Sequence, residues 1–126
     1  MKLVLVCVLV AALASSCGSM SNKRYSLQKT KQCLTGDKVR VTQRGLDFVA
    51  TTATGGALKA RLGSNFVTVV FGETIVDADN INDAYHRFRA RNVGIADVLR
   101  QQQNAVMLWH EHPSDSDLAR ITGCLK

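Results

Sequence analysis

The sequence predicts an α+β domain built on a four-stranded antiparallel sheet, preceded by an export leader. Three stretches carry the fold prediction. Ala57 to Leu62 alternates Leu58, Ala60 and Leu62 against Lys59 and Arg61, and after Gly63-Ser64-Asn65 the β-branched and aromatic run Phe66 to Phe71 follows, which together read as an antiparallel hairpin. Ala78, Ile81, Ala84, Tyr85 and Phe88 recur at helical spacing. Ala105 to Trp109 is a five-residue apolar run between polar flanks, the length of a buried strand rather than of a helix.

The remaining elements fall around these. Tyr25 to Leu34 has Leu27, Thr30 and Leu34 on one side and Gly36 as a stop, so it reads as a first helix. Asp37 to Gln43 alternates Val39 and Val41 with Lys38, Arg40 and Thr42, as a strand does. Leu46, Val49, Ala50 and Ala53 suit a short helix that ends at Thr54-Gly55-Gly56. The long helix after the hairpin begins at Asp77 or Asp79, and Ile95, Val98 and Leu99 add a helical turn or two. Gln101 to Asn104 is polar and reads as a loop. Pro113 opens a last helix, with Ser114 as N-cap, Asp117 at its positive end, and Leu118, Ile121 and Leu125 as its inner face. The central order, strand-helix-strand-strand-helix-strand, is the ferredoxin-like or split βαβ plan. The helices at either end are additions to it.

Residues 1–16 read as a signal peptide. Lys2 precedes an unbroken small and apolar run from Leu3 to Ala14, too short to span a bilayer. Two cleavage points compete. Ala12-Leu13-Ala14 suits ordinary signal peptidase and would leave Ser15 first. Leu13-Ala14-Ser15-Ser16-Cys17-Gly18-Ser19 resembles a bacterial lipobox, in which Cys17 is acylated and becomes residue one of the mature protein. Cysteine parity favours the second. With Cys17 lipidated, Cys33 and Cys124 remain as an even pair in an oxidising compartment; with cleavage after Ala14 a thiol is left over. Cys33 closes the first helix and Cys124 lies in the last turn of the final one, so a disulfide would tie the two end helices together. The expected organisation is a lipidated polar tether over 17–24 and one α+β domain over 25–126, exported and envelope-anchored, with simple secretion as the alternative.

The chain carries 16 basic and 10 acidic residues, a net charge of +6. Lys23, Arg24, Lys29 and Lys31 supply four of the positive charges before Cys33 with no acid among them. From Cys33 onward 11 basic residues meet 10 acidic ones. The high pI is therefore no argument for nucleic acid. A basic segment beside a lipid anchor fits contact with anionic headgroups, and equally a solvated helix face. The expected partners are the membrane, through the lipid, and a protein or small molecule of unspecified kind; no cofactor is expected. No Gly-x-Ser-x-Gly, phosphate loop, dinucleotide fingerprint or Cys-x-x-Cys is present.

The apolar strand runs into His110-Glu111-His112-Pro113, and alternation puts His110 and His112 on one face, where both can ligate a metal. This string resembles the His-x-His-Pro-Ser core of the JAMM/RadC-like metal-dependent hydrolases, a resemblance of about ten residues that implies zinc at His110 and His112; Glu73 is a candidate upstream acid that no surrounding motif supports. The chain departs from that family in its next ligands. The family sets a Ser and an Asp beyond a longer loop, whereas Ser114, Asp115, Ser116 and Asp117 follow at once here and are accounted for as helix caps. Over most of its length from Cys33 the chain is similar to small exported proteins of high-GC Gram-positive (actinobacterial) type. The features that carry this likeness are Cys33-Leu34 echoed by Cys124-Leu125, Phe66 to Gly72, and Val106 to Trp109 ahead of a Pro-Ser-Asp helix start. No activity comes with that resemblance. The sequence as a whole points to a non-enzymatic binding or interaction module, with a zinc hydrolase as the alternative.

Overall fold

A computed structural model describes residues 24–89 and 94–126. The leader, Cys17 and Lys23 lie outside the described residues. Within them the order is α1 (Leu27–Gly36), β1 (Arg40–Thr42), α2 (Phe48–Thr51), β2 (Ala57–Leu62), β3 (Asn65–Phe71), α3 (Ile75–Arg89), α4 (Ile95–Val98), β4 (Leu99–Gln102), β5 (Ala105–Trp109) and α5 (Asp115–Gly123).

Local chemistry explains most of these boundaries. Ser26 caps α1 by accepting from the Lys29 N–H, and Ser114 caps α5 by accepting from the Asp117 N–H. Thr74 and Asp77 form a reciprocal pair at the start of α3. The Asp77 N–H donates to Thr74 Oγ1 at 3.1 Å, and the Thr74 N–H donates to Asp77 Oδ2 at 3.0 Å. This capping box starts α3 at Ile75, ahead of the expected Asp77 or Asp79. Gly72 is required there: a Cβ on it would lie 2.6 Å from the Asp77 Cβ and 2.8 Å from the Ala78 nitrogen, so only glycine lets the end of β3 pass so close to the helix. Gly63, with φ +61, begins the two-residue turn between Leu62 and its partner Asn65.

The sheet has five antiparallel strands in the order β1-β2-β3-β5-β4. This departs from the four-stranded ferredoxin-like plan in two ways. First, β1 and β2 are antiparallel neighbours, with Arg40 opposite Arg61 and Thr42 opposite Lys59. The helix between them has one turn, too short to carry the chain along a strand and return it parallel. Second, Leu99–Gln102, expected to end a helix and enter a loop, is the edge strand β4. Its pairing with β5, from Leu99 opposite Leu108 to Gln102 opposite Ala105, overrides a weak local β preference. One split βαβ unit does exist: β3 and β4 both run antiparallel to β5, which lies between them, and α3 is in the connection.

Helices cover both faces. On the first, Leu34, Ile121, Cys124 and Leu125 from the terminal helices pack on Leu58, Ala60, Val67, Val69, Phe71, Met107 and Trp109. On the second, Ala50, Ala78, Ile81 and Tyr85 pack on Ala57, Val70, Leu99, Val106 and Leu108. Every residue of β5 is buried as a result, which is why that strand reads as an uninterrupted apolar run rather than an alternating one. The terminal helices therefore make one whole face of the core. Burying a single Leu or Ile side chain there contributes roughly 1.5–3 kcal/mol.

Candidate functional site

Both ends of the domain meet at one clasp. Cys33 and Cys124 are joined in a disulfide, with Cα atoms 5.4 Å apart across a sequence separation of 91, as the cysteine parity predicts. The Ser26 N–H donates to the Lys126 carbonyl at 2.5 Å and the Lys126 N–H to Thr30 Oγ1 at 3.3 Å. Cys33, Cys124 and the Asp37 carboxylate lie within 4.8 Å of one another. Because the two sulfurs are bonded to each other, neither is a thiolate available to a metal.

The chain enters the domain at Tyr25, and a buried asparagine holds it there. Asn104 Oδ1 accepts from the Tyr25 N–H at 2.6 Å, and Asn104 Nδ2 donates to the carbonyls of Tyr25 at 2.9 Å and Gly72 at 2.8 Å. Gln102 Nε2 donates to the Tyr25 hydroxyl at 2.9 Å. The N-terminal end of the described domain is thus fixed to the β4–β5 turn. Of the basic residues expected near the anchor, Arg24 and Lys29 are exposed. Lys31 instead leans along α1 towards β1, its Nζ donating to Gln43 Oε1 at 3.5 Å.

The two histidines have different partners. His110 extends the β3–β5 ladder, its N–H donating to the Phe66 carbonyl at 2.9 Å, and its ring stacks on Phe66 at 4.5 Å between centroids. His112 Nδ1 lies 2.6 Å from Asp97 Oδ1, both side chains well exposed. Among the described residues neither belongs to a group of three or more ligand-bearing side chains. Glu73 follows the other end of β3, roughly 20 Å along the strand direction from the His110 row. The geometry does not bring these three residues together.

A side-chain cluster that sequence reading did not single out lies on the second sheet face, beyond the cover of α2 and α3. Register sets Arg40, Arg61, Phe66 and His110 side by side across β1, β2, β3 and the end of β5. The next row is Thr42, Lys59, Thr68 and Leu108. Lys59 Nζ sits 5.0 Å from the Phe66 ring centroid and donates to the Gly45 carbonyl at 2.9 Å. Lys59 on β2 and His110 at the end of β5 thus both contact the Phe66 ring from the strands flanking β3. Two shallow depressions adjoin here, of about 200 and 320 Å³. Arg40, Thr42, Lys59, Arg61 and Phe66 line the larger.

The acid that lines the smaller depression is committed elsewhere. Asp47, on the rim of the smaller depression, caps α2 through the Ala50 N–H at 2.9 Å and accepts from the Tyr85 hydroxyl at 2.9 and 3.0 Å. Among the described residues, neither Arg40 nor Arg61 has a hydrogen-bond or carboxylate partner from its side chain. The signal available in the sequence was local charge: Lys38, Arg40, Arg44, Lys59 and Arg61 face only Asp47 as an acid between residues 38 and 61, so a domain neutral in total is positive at one edge.

Comparison with family models, curated proteins and solved structures gave no match.

Proposed function

We propose that the chain is an exported lipoprotein domain, anchored to the cell envelope through Cys17, that works as a non-enzymatic binding or interaction module. The Cys33–Cys124 disulfide carries this reading. Such bridges persist in oxidising compartments outside the cytosol. This one uses both cysteines of the domain and leaves Cys17 as the unpaired cysteine once Cys7 departs with the leader. Arg24 and Lys29, beside the anchored end, fit an anionic bilayer surface. No helix among the described residues is long and apolar enough to cross a membrane, and in this reading the lipid makes the attachment. Phe48 and Phe88, 72% and 71% exposed and in edge-to-face contact at 6.5 Å, add an apolar pair of the kind partner surfaces use.

Cell fractionation tests the anchor. The wild-type protein is expected in the membrane fraction and Cys17→Ser in the soluble exported fraction. An unchanged distribution contradicts the reading.

A further inference from the structure

We infer that the Arg40, Lys59 and Arg61 cluster on the open end of the second sheet face is a binding site for the phosphate groups of an anionic envelope polymer lying on the side of the domain away from the bilayer. This deepens the binding-module reading and rests on it for the location of the ligand.

The first argument is the cost of the arrangement. Arg40 and Arg61 are directly opposite each other on neighbouring strands, and Lys59 is diagonal to Arg40 on the same face. Like charges at cross-strand positions destabilise a sheet. No carboxylate among the described residues relieves this pair. An anion bound between the two guanidinium groups would relieve it. Arginine forks suit tetrahedral oxyanions, whose several oxygens accept from more than one fork at once, and Lys59 adds a point charge. Lys59 is held in place by the Gly45 carbonyl and the Phe66 ring, so little of its freedom remains to be lost on binding.

The second argument is orientation. Tyr25, where the tether joins the domain, is pinned to Asn104 and Gly72, at the Phe71 end of β3. The Arg40–Arg61–Phe66–His110 row lies at the Asn65 end, roughly 17–20 Å away along the strand direction. A domain anchored at the first end presents the second end outward. Lipid headgroups are therefore the partner of the Arg24 and Lys29 end, and a polymer beyond the bilayer is the partner of this one. Single-stranded nucleic acid is disfavoured because stacking needs an open aromatic face, and the Phe66 ring already has His110 stacked on it at 4.5 Å and Lys59 Nζ 5.0 Å from its centroid.

The test uses full-length protein purified from membranes in neutral detergent, with its disulfide intact. Poly(glycerol phosphate) is the probe; dextran, a polycarboxylate glycan, a single-stranded oligonucleotide and anionic phospholipid vesicles are the comparators. Poly(glycerol phosphate) should bind in a salt-dependent way, and the double variant Arg40→Gln/Arg61→Gln should weaken it roughly tenfold or more. Lys29→Gln/Lys31→Gln should leave it unchanged. In low salt without probe, the double variant should have a higher Tm than wild type, because a like-charge pair has been removed. Equal binding by wild type and the double variant overturns the proposal, as does absence of binding. Preferential binding of polycarboxylate, oligonucleotide or vesicles through Arg40 and Arg61 also overturns it. A lower Tm with aggregation of the double variant would make the arginines guards of an exposed edge strand and overturns it too. None of these outcomes bears on the Cys17 anchor, which fractionation tests separately.

Discussion

Asn104 and Tyr25, separated by 79 residues, are bound to each other in both directions: the asparagine oxygen accepts from the Tyr25 N–H at 2.6 Å and its amide nitrogen donates to the Tyr25 carbonyl at 2.9 Å. A side chain here imitates a strand, satisfying the backbone of a segment that has no ladder of its own. Asn104 is 1% exposed and also holds the Gly72 carbonyl. Asn104→Ala would strand buried groups and is expected to cost about 2–4 kcal/mol. Urea unfolding with the disulfide intact measures this, and a loss below about 0.5 kcal/mol would remove the pin from the account.

The disulfide closes nearly the whole domain into one loop, with 91 residues of separation. Loop closure in the unfolded chain makes Cys33→Ser/Cys124→Ser about 3–4 kcal/mol less stable than the oxidised wild type. For a domain of this size that is a large part of the net stability, so unfolding should shift to markedly lower denaturant. An unchanged midpoint would mean that the packing of Leu34, Ile121 and Leu125 holds the terminal helices unaided.

His110 and His112 provide a direct comparison between the binding module and a zinc hydrolase. With His110 stacked on Phe66 and His112 paired to Asp97, purified protein is expected to hold far less than stoichiometric zinc by elemental analysis. Stoichiometric zinc that disappears in His110→Ala would contradict this and favour the hydrolase alternative.

Much of the fold was legible because it rests on local chemistry. β2 and β5 have the expected bounds, and the Ser114 cap starts α5 where sequence places it. Where tertiary pairing decides, the sequence is silent. Nothing in Leu99-Arg100-Gln101-Gln102 marks a strand; β4 forms because β5 has a free edge for it. The ferredoxin-like plan failed for a related reason, since only the packed structure shows that α2 spans a single turn and leaves β1 beside β2. The cationic cluster was hidden by register. Lys59 and Arg61 read as the solvent side of a strand, which they are, but Arg40 and Phe66 join them only once β1, β2 and β3 are aligned. The disulfide was legible by counting, because parity needs no geometry.

The most direct test of the central claim is the intact mass of the mature protein from its native envelope, followed by non-reducing peptide mapping. The account predicts that the chain begins at an acylated Cys17 and that Cys33 is linked to Cys124. A lipid-free chain beginning at Ser15, or free thiols at Cys33 and Cys124, would contradict it.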